Sequence, residues 1–165
     1  MNMKKIISTI FVIIWMFTIF YFSNQQGTGS SNTSKKVSKI IVNMIDIKHQ
    51  MQKEAKEELV IKIEPYIRKI AHYTIYTIGG ILIINCIYLY IQDYHKSVVN
   101  ATMIGILYAT TDEIHQLFVQ GRSGRVIDVV IDSIGIITGI VIYLIIIKIS
   151  ENIVDRKNKK RLGEN

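Results

Sequence analysis

Four isoleucine-rich apolar runs, separated by short polar stretches, restrict what this chain can fold into. A helix rises 1.5 Å per residue, so about 20 consecutive apolar residues cross the roughly 30 Å hydrocarbon core of a bilayer. A composition of 49% hydrophobic and 20% charged residues would suit a water-soluble domain if the apolar residues were scattered. Here they are gathered into blocks. The pattern predicts an all-α membrane domain over residues 1–150, a four-helix transmembrane bundle with spans near 6–22, 67–91, 98–119 and 126–149, and a basic tail at 151–165.

The formal net charge of +7 raises nucleic acid as a partner, but the basic residues sit at the ends of the apolar runs. Lys4 and Lys5 precede the first run; Lys148, Arg156, Lys157, Lys159, Lys160 and Arg161 follow the last. This is the arrangement of cytoplasmic flanks under the positive-inside rule, and anionic lipid headgroups suffice to explain it. The expected partners are therefore membrane lipids and not nucleic acid, in a multi-pass cell-membrane protein with both termini cytoplasmic. The N-terminal run resembles a signal peptide but ends in Phe20, Tyr21 and Phe22 without a small-residue cleavage site, so it reads as a retained helix. The single cysteine, Cys86, lies within an apolar run and reads as a small core residue.

Residues 25–34, rich in Gly, Ser, Thr and Asn, read as a loop on the outer side. From Ser34 onward, Val37, Ile40, Ile41, Met44 and Ile45 recur at helical spacing while Lys35, Lys36 and Lys39 fill the opposite face, which predicts a short interfacial helix in this first outer loop. Residues 48–62 are charged helix formers, and Pro65 suits the first turn of the second span. The turn at 92–96 is expected inside and the turn at 120–125 outside.

Ionisable residues within a span cost about 2.5–3.5 kcal/mol each, so their presence there points to function. Asp112, Glu113, His115 and Gln116 lie near the outer end of the third span, with Asp112 roughly 10 Å deep at helical rise. Ser23 and Gln25 end the first span. Lys69, His72, Tyr73 and Tyr76 share one face of the second, while Arg122 and Arg125 form the outer turn and Asp128 and Asp132 open the fourth. The topology thus gathers polar residues from every span into the outer half of the bilayer, with Arg68, Lys69, Arg122 and Arg125 opposite four acids. Gly135 and Gly139 lie on the face of Asp128 and Asp132 as a G-x-x-x-G packing motif, which turns those acids toward the bundle.

Four stretches, FSNQQG at 22–27, RKIAHYTIY at 68–76, DEIHQLFVQGRSGR at 112–125 and DVVIDSIGIITG at 128–139, occur in an order that resembles the VanZ-like family of small bacterial membrane proteins, named for a teicoplanin-resistance determinant. The resemblance covers all four spans. It implies that Ser23, Gln25, Lys69, His72, Asp112, Glu113, His115, Gln116, Arg122 and Asp128 form the working site. It also implies a link to the cell envelope and to lipoglycopeptide response. The chain departs from the family pattern at Asp132, where asparagine is typical, and at Ile75, where an acid is common.

Two functions are open to such a site. An enzyme acting on a lipid or lipid-linked precursor would use His72 or His115 as acid or base, Asp112 or Glu113 to orient it, and Ser23, Gln25, Lys69, Gln116, Arg122 and Asp128 to hold the substrate. A non-catalytic binding or structural membrane protein would hold the same amphiphile without chemistry. No Ser-His-Asp or Cys-His arrangement is evident. No H-E-x-x-H or comparable ligand run is present, so no metal and no cofactor are expected. Transport is disfavoured, because the inner half offers no polar path and the chain has no inverted repeat.

Overall fold

The computed structural model describes residues 2–25, 27–46 and 51–162, and the described residues form five helices with no strand. These are α1 (Met3–Ser23), α2 (Gly27–Ile45), α3 (Lys53–Ile91), α4 (Tyr94–Gln116) and α5 (Val126–Leu162). Gln26, residues 48–50 of the expected charged segment and the last three residues of the tail lie outside the described residues. α3 forms the hub, packing against α5 most extensively and also against α1, α2 and α4; α5 further contacts α4.

Three helices, Met3–Ser23, Lys53–Ile91 and Val126–Lys159, are long and apolar enough to cross a membrane. α4, the expected third crossing, is not among them. Its 23 residues would measure about 35 Å, which is sufficient length. Asp112, Glu113, His115 and Gln116 lower its average hydropathy. The two faces of α4 differ: Ser97, Ala101, Gly105, Ala109 and then Asp112, Glu113 and Gln116 are buried in the bundle, whereas Val99, Met103, Ile104, Leu107 and Ile114 are exposed. α1 and α5 likewise turn Phe11, Ile14, Phe17, Ile134, Ile137, Val141 and Ile145 outward. An outer surface dominated by large apolar residues, with small and polar residues on the buried face of α4, is the inverse of a water-soluble bundle and the pattern of a membrane protein.

Close approach of α3 and α5 rests on glycine. A Cβ at Gly139 would run into the Thr77 carbonyl oxygen, and one at Gly80 into the Ile136 carbonyl oxygen. A Cβ at Gly135 would stand 2.7 Å from the Tyr73 carbonyl oxygen. The α5 face with Gly135 and Gly139 is thus pressed on α3, and it carries the fully buried Asp132 with it. Elsewhere in the bundle the indole of Trp15 donates to the Ile75 carbonyl at 2.9 Å and stacks edge-on against Tyr76, while the Tyr108 hydroxyl donates to the Met16 carbonyl at 2.6 Å. At the other end Asn85 donates to Ser8 at 2.9 Å, joining α3 to α1.

Several local expectations are corrected by tertiary contacts. Residues 27–34 are helical rather than a loop, since Ser34, Ser38 and Val42 form a stripe of α2 buried on α3. The apolar stripe Val37, Ile40, Met44 and Ile45 faces away from the bundle. Pro65 lies well inside α3 rather than in its first turn. Its ring removes the i→i−4 bond that an N–H there would have made, and the helix continues across it. The turn expected over 92–96 shortens to Gln92, left-handed at φ 56°, and Asp93, whose carboxylate caps α4 by accepting from the Lys96 backbone N–H at 3.0 Å. That hydrogen bond, followed by the Lys96 charge, holds the Asp93 carboxyl below its ordinary pKa. The contribution of the cap is therefore complete above the unfolded pKa and is lost as pH falls through the lower folded one. The helix of α5 continues through the expected tail to Leu162, and the Tyr94 hydroxyl bonds Glu151 on it at 3.0 Å.

Beside Gly139, Ile140 is buried in the core as well, and the outward residue is Val141. Gly139→Leu is accordingly expected to cut the yield of folded, monodisperse protein in detergent, since overpacking a tight contact costs about 1–3 kcal/mol or more. Val141→Leu should leave it near wild type. Size-exclusion profiles of the two variants decide the matter, and equal yields would remove the glycine contact from the account of the fold.

Candidate functional site

The buried stripe of α4 ends in three polar side chains because positions 109, 112, 113 and 116 continue one helical face into the bundle. Gln116 organises them. Its Nε2 donates to Asp112 Oδ2 at 3.1 Å and to Glu113 Oε1 at 3.2 Å, while its Oε1 accepts from Arg122 Nη1 at 3.2 Å. Asp112 Oδ2 also accepts from the hydroxyl of the fully buried Tyr76 at 3.2 Å, and Glu113 Oε2 accepts from the Arg125 backbone N–H at 3.0 Å.

Arg122 fastens the two connections at this end of the bundle. Its Nη2 donates to the Phe22 carbonyl at 2.6 Å and its Nε to the Gln25 carbonyl at 3.0 Å, which ties the turn to the end of α1. Alongside, the Gly27 backbone N–H donates to the Gln120 carbonyl at 3.1 Å, and a Cβ on Gly27 would collide with the carbonyl of Gly121. Gly121 itself has φ +75°, a conformation that glycine adopts without a Cβ penalty. Arg122 was expected to stand against the acids as an anion-binding group. It reaches them only through Gln116, and three of the five N–H groups of its guanidinium are committed, leaving two for anything else. Burial and the like charge of Arg68 lower its pKa from the usual guanidinium value.

On the α3–α5 side, His72 Nδ1 lies 3.6 Å from Asp132 Oδ2 and Lys69 Nζ lies 4.0 Å from Asp128 Oδ1. Two hollows meet here. A small one of about 30 Å³ is lined by Arg68, Lys69, His72, Glu113, Gln116, Asp128, Ile131 and Asp132. A larger cavity of about 290 Å³ has mostly apolar walls, among them Ile19, Phe22, Ile75 and Tyr76, together with Ser23, Gln25, Arg68, His72 and Arg122. Arg68 and His72 belong to both.

The structure thus brings together Lys69, His72, Glu113, Gln116 and Asp128 around the small hollow, and Ser23, Gln25, His72 and Arg122 around the larger one. Asp112 lies behind them, bonded to Tyr76 and Gln116. His115 stands apart: its ring lies 4.7 Å from that of Phe20, on another face of α4, and it lines neither hollow. Two participants carry more weight than the sequence gave them. Arg68 lines both hollows, and Asp132 is the most deeply buried acid. The sequence signals were present, since Asp132 follows Asp128 by one turn and Arg68 precedes His72 by one turn, but neither reports depth of burial.

These features define a helical membrane protein with a cluster of buried acids, histidine and arginine at one end of the bundle. The chain belongs to the VanZ/LLP1 family, whose family model matches residues 8–147. No curated protein and no solved structure matches it.

Gln116→Leu should leave Asp112, Glu113 and Arg122 each one hydrogen bond short in a buried setting, and is expected to destabilise the fold by on the order of 2–4 kcal/mol. Gln120→Leu changes an exposed side chain in the neighbouring turn and is expected to be close to neutral. Thermal unfolding midpoints in detergent test this; equal midpoints would show that Gln116 is not the node of the network.

Proposed function

We propose that this chain is a four-crossing cell-membrane protein that binds, or acts on, an anionic amphiphile of the cell envelope, such as a lipid or lipid-linked precursor. The observation that carries this reading is the larger cavity, where apolar walls from α1 and α3 meet Arg68, His72 and Arg122. Apolar walls suit an acyl or prenyl chain, and guanidinium groups suit a phosphate or carboxylate headgroup. α4 serves as the fourth crossing, with its exposed apolar face toward lipid and its polar residues turned into the bundle. Both termini are cytoplasmic, and the α1–α2 and α4–α5 connections, with the site, lie at the outer leaflet. The outward apolar stripe of α2, flanked by Lys35, Lys36 and Lys39, rests in that interface.

Any proton transfer to the occupant falls to His72, which lines the cavity and has Asp132 beside it, rather than to His115. Altered sensitivity to teicoplanin-type lipoglycopeptides is the cellular effect that membership of this family implies for such a site.

Orientation is read by single-cysteine labelling in a Cys86→Ser background. Ser123→Cys should react from outside and Lys157→Cys only after permeabilisation, and the reverse result would sink the outer-leaflet site. Native mass spectrometry should detect an anionic amphiphile with the wild-type protein and much less with Arg68→Ala. Lipid analysis of cells with and without the gene then separates the two modes: a changed headgroup or precursor pool means chemistry, whereas an unchanged pool with altered teicoplanin sensitivity means binding alone. Absence of a bound amphiphile and of either cellular effect would refute the proposal.

A further inference from the structure

Three acids are almost inaccessible at this end of the bundle, and their compensation is unequal. Asp112 and Glu113 accept hydrogen bonds from Tyr76, Gln116 and the Arg125 backbone. Asp132 is 0% exposed, and neither of its carboxylate oxygens accepts a hydrogen bond. Its nearest basic neighbour is the His72 ring, at 3.6 Å. The nearby Lys69 is directed to Asp128 instead. A carboxylate buried without hydrogen bonds is among the costlier arrangements in a protein interior, unless a cation meets it.

The side chains around Asp132 supply the donors for such a cation. One ligand atom from each of His72, Glu113 and Asp132 lies within 4.8 Å of the other two, and the three residues come from α3, α4 and α5. Metal–ligand bonds of about 2.0–2.2 Å would draw these atoms to roughly 3–4 Å apart, a closure within the reach of small side-chain rotations. The small hollow that they line, about 30 Å³, has room for an ion and a water. Both Glu113 oxygens already hold one hydrogen bond, yet each keeps a second lone pair.

We propose that His72, Glu113 and Asp132 form a binding site for a divalent first-row transition ion, Zn²⁺ or Mn²⁺. Two carboxylates and a neutral imidazole cancel a charge of +2, which is the least costly state for a site shielded from water. A mixed nitrogen and oxygen donor set favours these ions over Mg²⁺ and Ca²⁺, which take oxygen ligands. The ion would tie together the three helices that meet here. The site stands on Asp132 and its neighbours and does not require that the adjoining cavity hold an amphiphile.

The test uses the full chain in detergent, freed of any affinity tag, stripped with EDTA and then titrated with Mn²⁺ followed by electron paramagnetic resonance, with Zn²⁺ as competitor. Saturable binding of about one ion per chain, displaced by Zn²⁺, with a rise in the thermal midpoint of the stripped protein, is expected. Asp132→Asn keeps the shape and removes the charge, and should weaken binding more than about tenfold, as should His72→Gln. Asp155→Asn, on the exposed end of α5, should bind as wild type. Binding that fails to saturate at one ion in the wild-type protein overturns the proposal, as does an Asp132→Asn variant that binds like wild type. Should Asp132→Asn fail to fold, the wild-type titration and His72→Gln still decide it.

Discussion

The cost of holding carboxylates away from water governs this end of the molecule. Asp112, Glu113 and Asp132 are each buried, and nearly every other polar feature can be read as a response to them. Gln116 spans two of the acids, Tyr76 reaches one from α3, and the Arg125 backbone reaches another from the α4–α5 connection. Because Gln116 is held in turn by Arg122, and Arg122 by the carbonyls at the end of α1, the network extends from the acids to the opposite side of the bundle. Neutral hydrogen-bond donors perform most of the compensation. That leaves Asp132, with one histidine beside it, as the site of greatest unmet charge.

The helix contacts make this network possible. Gly80, Gly135 and Gly139 let α3 and α5 approach to backbone contact, and the same approach seals Asp132 between them. On α4 the small residues Ala101, Gly105 and Ala109 line the buried face that ends in Asp112 and Glu113, with the Ile136 side chain of α5 packed over Gly105. Packing in lipid has little hydrophobic drive, so small residues and polar contacts must supply the specificity. In this chain the two are arranged in series along the same helix faces. The consequence is that Arg68 and His72 stand at the junction of two hollows.

Much of this was legible in the order of residues alone, and the failures are informative. The apolar blocks fixed an all-α membrane protein, and helical spacing turned Asp128, Asp132, Gly135 and Gly139 to one face. Local composition misled where tertiary contact overrode it. The Gly- and Ser-rich stretch at 27–34 is helical because Ser34 and Ser38 pack on α3. Pro65 sits inside a long helix, where local sequence alone suggests a helix start. His115 looked equivalent to Asp112 and Gln116, yet a rotation of 100° per residue places it against Phe20.

What the sequence by itself determined is the class of the protein and the gathering of its polar residues at one end of the apolar runs, because hydrophobic length and helical period are local properties written into consecutive residues. Only the tertiary structure decided which of those residues meet. His72, Glu113 and Asp132 are separated by 41 and 19 positions and show no ligand motif, but three helices bring their donor atoms within 4.8 Å. Arg122 could be recognised as a cation in a turn, whereas its commitment to the carbonyls of Phe22 and Gln25 depends on where α1 ends in space. Burial and partnership depend on contacts between distant segments, and a charge acquires its cost and its function only when those contacts form.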